Sequence, residues 1–307
     1  MRTRLGHTCE DLKSSYWLQY QDTRKHFRPR HPRVTAHKYI STKANARDVY
    51  WSAIAAQRAF PQAVSQKSVS VRHSQGGGAS WKLSEDPAVQ SEESGYLGGV
   101  AIAPNTRTHD ALVESISAIT NQSSEKLQEQ GSFGYLPSIY FALQAVYPNY
   151  TAPFLSDLAR KRFALGAVAQ LCAATLPAVV SDLNASDVIG DLDEVALAPL
   201  KALQDLNAPA QGDRTSRPLL AIQGANDTTV FPGLTTKSYE KACEAGNLVR
   251  LSIYPELEHS PVSGASAPEW LRFIEDLFRG QGLESCSQAI VNLFDIEHAR
   301  TPEEDEL

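Results

Sequence analysis

The run SVSVRHSQGGGASWKLSE, Ser68 to Glu85, constrains this chain more than any other stretch. KSVSVRHS reads as a short strand and GGGASWKLSE as the helix that follows, so a sharp turn with Ser74 at its apex has to join them. Small residues beside the apex give a strained serine backbone the space it needs, and the dipole of the following helix points at any anion formed there. The surroundings of Ser74 decide what the turn is for, since Ser-X-Gly alone is common in surface turns.

Other segments repeat the strand and helix alternation. SGYLGGVAIAP is a strand ended by Pro104, RPLLAIQGANDTTV holds an apolar run from Leu219 to Ile222 that stops at Gly224, and LVRLSIY alternates in the manner of a further strand. Before Ser68, ARDVYWSAIAAQRAF, preceded by the capping type Asn45, repeats apolar residues at Val49, Ala53, Ile54 and Phe60 and predicts an amphipathic helix ended by Pro61. Near the end, APEWLRFIEDLFRG predicts a helix with Trp270, Phe273, Ile274 and Leu277 on one face and Gly280 as its stop. Strands alternating with helices make an α/β fold with a parallel sheet covered on both faces. Between Pro104 and Arg217 the pattern is helical and rich in Ala and Leu, an insertion of several helices between two strands. The expected organisation is an irregular basic segment over 1–43, a core over 44–104 and 215–280, a helical insertion over 105–214 and a tail over 281–307.

Length and composition exclude some classes. A chain of 307 residues, 42% hydrophobic, has ample material for a large core, and a net charge of −6 gives no general pull toward nucleic acid or an anionic membrane. The ends differ, TRKHFRPRHPR being basic and TPEEDEL acidic, but charged ends are ordinarily solvated, and Glu10, Asp11 and Asp22 flank the basic residues, so no nucleic-acid partner is expected. No segment is apolar for long enough to span a bilayer. The first residues lack the apolar stretch and cleavage site of a secretory signal, which leaves the compartment open, the cytoplasm being the expectation only for the chain expressed as written, and the terminal DEL lacks the Lys or His that would make it a retention signal. Sequons at Asn121, Asn149, Asn184 and Asn226 point instead to a secretory ancestry. Cys9, Cys172, Cys243 and Cys286 lack metal-site spacing; Cys243 with Cys286 is the pair to test for a disulfide, free thiols being the alternative.

The chemistry-bearing residues fall in a telling order. Asp227 in GANDTTV follows one strand and His259 in PELEHSPV follows the next, so both lie with Ser74 at the C-terminal edge of the sheet. Ser74 would be the nucleophile, His259 its base, and Asp227 the group that fixes the imidazole tautomer and stabilises the imidazolium. The backbone N–H of Gln75 would bind the oxyanion. Each has a bland alternative: a helix cap for Ser74, a turn residue for Asp227, a loop histidine for His259. Glu256 and Glu258 rank below Asp227 for the acid role because they are too near His259 in sequence. His7, His26, His31 and His37 fall in the irregular segment and read as solvated.

HSQGGGASW, YLGGVAIAP, LLAIQGANDTTV and YPELEHSPVSGASAPEWLRFIEDLF, in this order from about Asn45 to Gly280, resemble the fungal secretory lipase family of the α/β-hydrolase superfamily. The resemblance implies an α/β-hydrolase fold, a helical insertion acting as a lid, secretion, and hydrolysis of carboxylic esters such as acylglycerols by Ser74, His259 and Asp227 without metal or organic cofactor. The partner it implies is a small-molecule or lipid ester. A lid would bring activation at a lipid interface, plain core being the other reading of the same helices.

Two departures count against activity. The family elbow reads Gly-His-Ser-Gln-Gly, whereas Arg72, His73, Ser74, Gln75 and Gly76 stand here. A long side chain at 72 is expected to overpack the turn, at about 1 to 3 kcal/mol, or to distort it. The family also has strands before its elbow, one of which supplies a second oxyanion donor. Residues 1–43 contain no convincing strand, and losing that donor costs about 10² to 10³ in rate. The alternative function is therefore an impaired or inactive α/β-hydrolase-like remnant that acts, if at all, by binding.

Overall fold

A computed structural model describes residues 39–120, 133–169, 171 and 175–293. Five strands, β1 (Ser68–His73), β2 (Tyr96–Ile102), β3 (Leu219–Gly224), β4 (Val249–Tyr254) and β5 (Ser287–Ile290), form one parallel sheet in sequential order. Parallel neighbours need a crossover between them. These are supplied by α2 (Gln75–Ser84) after β1, α8 (Pro232–Glu244) after β3, and α9 (Pro261–Ala265) with α10 (Ala267–Phe278) after β4. The long crossover from β2 to β3 carries α3 (Thr108–Thr120), α4 (Leu136–Val146), α5 (Asp157–Val168), α6 (Ala185–Val188) and α7 (Glu194–Asn207). Ahead of β1 lies α1 (Thr42–Ala59), and among the described residues no strand precedes β1, which forms one edge of the sheet.

The period of two along each strand builds the core in two layers. Val100, Ile102, Leu220, Ile222 and Tyr254 face Val262, Phe273 and Leu277 of α9 and α10. Their neighbours Ala101, Leu219, Ala221, Val249 and Leu251 face the opposite way, onto Trp81 of α2 and Ala242 of α8. Apolar residues on both faces explain why β3 is buried at all six positions and reads as a continuous hydrophobic run. The strand ends are level: His73 pairs with Ile102, Ile102 with Ile222, and Gly224 with Tyr254. Loops that leave β1, β3 and β4 therefore emerge side by side at the C-terminal edge.

The described residues fall into two compact units, one of Tyr39 with Gly134–Ala196, the other of Ile40–Phe133 with residues from Leu197 onward. The smaller unit is helical. Ser156 caps α5 by accepting the Ala159 N–H, the rings of Tyr140 and Phe163 lie 5.8 Å apart, and the backbone of Leu155 bridges to Ile189. The larger unit contains the whole sheet.

Two elements differ from the sequence reading. Helix α1 begins at Thr42, which puts Asn45 inside it rather than at its cap, and its most buried residues are Thr42, Asn45, Ala46 and Gln57. Gln57 lies inside because its amide donates to the carbonyls of Ser65 and Gln66, whereas Phe60 is 61% exposed. The stretch read as a tail contains β5, whose four side chains are exposed and which therefore carries no apolar pattern. A disulfide joins Cys243 at the end of α8 to Cys286, one residue before β5. Cys9, Cys172, Asn121 and the histidines at 7, 26, 31 and 37 lie outside the described residues.

Candidate active site

Ser74 follows directly on β1 with φ 60° and ψ −125°, a conformation that costs a non-glycine residue about 1 to 3 kcal/mol. Three hydrogen bonds hold it there. Its N–H donates to the Ile102 carbonyl at 2.8 Å, and its own carbonyl accepts from Gly78 at 3.1 Å and from Asn105 at 3.0 Å. Helix α2 must come very close to the end of β2 for this to happen. A Cβ on Gly77 would lie 2.8 Å from the Ile102 carbonyl oxygen, and one on Gly78 would lie 2.3 Å from that of Asn105.

Arg72 does not distort this turn. Its aliphatic stem lies over Gly76, where a Cβ would meet Arg72 Cβ at 3.1 Å and Cδ at 3.5 Å. Because Gly76 has no Cβ, the stem of Arg72 has room to lie over it. The expected overpacking is thus relieved by the backbone of α2.

Asp227 sits in the turn after β3, its carboxylate fully buried. Its Oδ1 accepts the N–H groups of Thr229 and Val230, each at 2.8 Å, and its Oδ2 accepts from the Gln223 amide at 3.0 Å. Gln223 is in turn oriented by Thr235, whose hydroxyl donates to Oε1 at 2.8 Å. A buried charge is tolerated only when its lone pairs are filled in this way. Gln223 escaped the sequence reading, although a polar residue at the end of the apolar run LLAIQG is the signal that could have found it.

His259 reaches both neighbours. The loop after β4 turns at Glu256, φ 62°, and rests on the Asp227 turn, the Asn226 N–H donating to the Leu257 carbonyl at 3.0 Å. Gly224 permits this approach, because a Cβ there would lie 2.3 Å from the Leu257 oxygen. His259 Nδ1 is 2.8 Å from Asp227 Oδ2, and Nε2 is 2.9 Å from Ser74 Oγ. An ionised carboxylate only accepts, so Nδ1–H donates to Asp227 and the Nε2 lone pair is left to accept the Ser74 hydroxyl proton. Glu256 and Glu258 are exposed and point the acid role to neither of them.

Gln75 opens α2, and its backbone N–H lies at the positive end of that helix. His73 closes β1 and turns its ring to the site: Nε2 is 2.8 Å from the His259 carbonyl oxygen, and the two imidazole centroids are 4.5 Å apart. Burial, followed by the neighbouring His259, draws the pKa of His73 down to about 4. Among the described residues no three His, Cys, Asp or Glu side chains are grouped so as to hold a metal ion, and no helix is long and apolar enough to cross a membrane.

No protein family matches the sequence, and no curated protein does. Solved structures do match. Lipase A from Candida antarctica superposes with a TM-score of 0.62 at 15% identity, covering 83% of this chain and 59% of its own. The fold is that of the α/β-hydrolases. The rice cell wall degrading esterase LipA from Xanthomonas oryzae superposes with a TM-score of 0.59 at 15% identity, over 81% of this chain and 68% of its own. The chain thus spans less than two thirds of the length of the lipase, and identities this low speak for the shared α/β-hydrolase fold alone.

Proposed function

We propose that this chain is a serine carboxylic ester hydrolase of lipase type, acting on acylglycerols or related esters. The observation that carries the reading is the continuous array from Asp227 through His259 to Ser74, with contacts of 2.8 and 2.9 Å, at the C-terminal edge of an α/β-hydrolase sheet. The lipase and esterase names of the structural neighbours and the motif resemblance to the fungal secretory lipases support it.

In this mechanism Ser74 Oγ forms a bond to the ester carbonyl carbon while its proton passes to His259 Nε2. The imidazolium so formed is stabilised by Asp227 through Nδ1–H, and the Gln75 N–H stabilises the oxyanion. Collapse of the tetrahedral intermediate breaks the bond to the alcohol oxygen, which takes the proton back from Nε2. Water, deprotonated by the same nitrogen, then releases the acid and restores Ser74. Substrate is bonded covalently, so a phosphonate that stops after the first step reports on the whole array.

The test is fluorophosphonate labelling of the purified chain beside Ser74→Ala, with p-nitrophenyl butyrate turnover in parallel. Labelling and turnover that vanish together in Ser74→Ala are expected. A folded wild-type chain that neither labels nor turns over would overturn the proposal in favour of a hydrolase fold without the activity.

A further inference from the structure

The array just described contains a second imidazole that the mechanism leaves idle. His73 immediately precedes Ser74 in the chain, and its ring bonds to the main chain of His259, 186 residues away. A carbonyl oxygen only accepts, so His73 is held as the tautomer with its proton on Nε2, and that proton is directed at residue 259. His259 is consequently gripped at two points by consecutive residues: its carbonyl by His73 at 2.8 Å and its Nε2 by Ser74 at 2.9 Å.

The loop that carries His259 has other fastenings, but they act beside it. Asn226 N–H bonds to the Leu257 carbonyl at 3.0 Å and Val262 N–H to the Glu258 carbonyl at 3.3 Å. Neither fixes how far residue 259 stands from the end of β1. The His73 bond does, because the strand that sets Ser74 also sets His73. A near-attack geometry is sensitive to shifts of this kind, and a misplacement of about 1 Å costs on the order of 10²-fold in rate.

We propose that His73 is a positioning residue, whose Nε2–H, donated to the His259 carbonyl, holds the His259 imidazole in line between Asp227 and Ser74. The inference rests on the ester-hydrolase reading for its kinetic consequence, though not for the geometry itself. His73 is poorly suited to be the base. Asp227 is bonded to His259, not to His73, and burial keeps His73 neutral at ordinary pH, so it neither competes for the serine proton nor repels the imidazolium.

The experiment compares His73→Phe and His73→Leu, which lack a donor, with His73→Gln, which keeps an N–H at similar reach. Two readouts are taken: kcat and KM with p-nitrophenyl butyrate alongside fluorophosphonate labelling rate, and the downfield proton resonance of His259 Nδ1–H in the hydrogen bond to Asp227. The donor-less variants should fold, lose about 10- to 100-fold in kcat and labelling rate with KM within about twofold, and broaden or lose the resonance. His73→Gln should recover most of both. A folded donor-less variant with wild-type rate and resonance overturns the inference, as does a glutamine variant that is as impaired as the phenylalanine one. If the wild-type chain itself is unreactive, the hydrolase reading fails, and the resonance in the same variants still decides the role of His73.

Discussion

Arg72 has room for its stem because residue 76 has no Cβ, so these two positions are coupled by direct contact. Gly76→Ala in the wild-type background replaces a poor helix former with the best one, a gain of about 1 kcal/mol, but drives a methyl group to 3.1 Å from Arg72 Cβ. With Arg72→Gly the contact is gone and only the gain is left. In a double-mutant cycle read by urea unfolding, Gly76→Ala should be neutral or destabilising alone and stabilising beside Arg72→Gly, with a coupling of at least about 0.5 kcal/mol. Additive effects would mean that the Arg72 stem does not rest on Gly76. Only part of the site is legible in the sequence. Ser74, Asp227 and His259 were legible because each stands just beyond a strand with its own pattern, and chain order then puts all three at one sheet edge. Gln223 and His73 were not assigned roles, because a side chain that bonds a buried carboxylate or a distant carbonyl leaves no periodicity behind.

Helix α2 is tied at its other end by a group of charges far from the serine. Lys82, 8% exposed in its side chain, is paired with Glu85 at 3.1 Å and with Asp213, and Glu85, fully buried, also accepts the Ala210 N–H at 2.8 Å. Burial pushes Glu85 up to about 7 in spite of Lys82. Burial pulls Lys82 down, yet Glu85 and Asp213 together hold it above its usual value. A carboxyl whose folded pKa lies above its unfolded value near 4.5 contributes its full stability below about pH 4.5 and loses it as pH rises through 7, because the folded state binds the proton more tightly. Glu85→Gln keeps an oxygen for Ala210 and removes the titration. Wild type should therefore lose on the order of 2 kcal/mol relative to Glu85→Gln between pH 4.5 and 7.5, as measured by urea unfolding across that range. Parallel curves would show that Glu85 is ionised throughout. At this scale the sequence was a fair guide where apolar spacing decides burial: α10 buries Phe273 and Leu277 as its spacing requires. It misled in α1, where hydrogen bonds from Gln57 to the Ser65 and Gln66 carbonyls outweigh the exposed Phe60.

Across the larger unit, the sheet is held unevenly. Strands β2, β3 and β4 are packed between helices on both faces, whereas β5 has all four side chains exposed and is attached by its ladder to β4. The Cys243–Cys286 bond supplies what packing does not, fastening the residue before β5 to the end of α8 across 43 residues of sequence. In the chain-entropy account a loop of that length contributes up to about 4 kcal/mol by restricting the unfolded state. Cys243→Ser with Cys286→Ser, changed together so that no lone thiol is left, should lower Tm by roughly 10 °C. The loss should also be local. Hydrogen exchange over 287–290 should accelerate well beyond that of β3 and β4, because removing the tether frees an edge strand with no apolar face of its own to hold it. Equal protection of β5 with and without the bond would assign its attachment to the ladder alone, and the disulfide would then act on the unfolded chain rather than on this edge of the sheet.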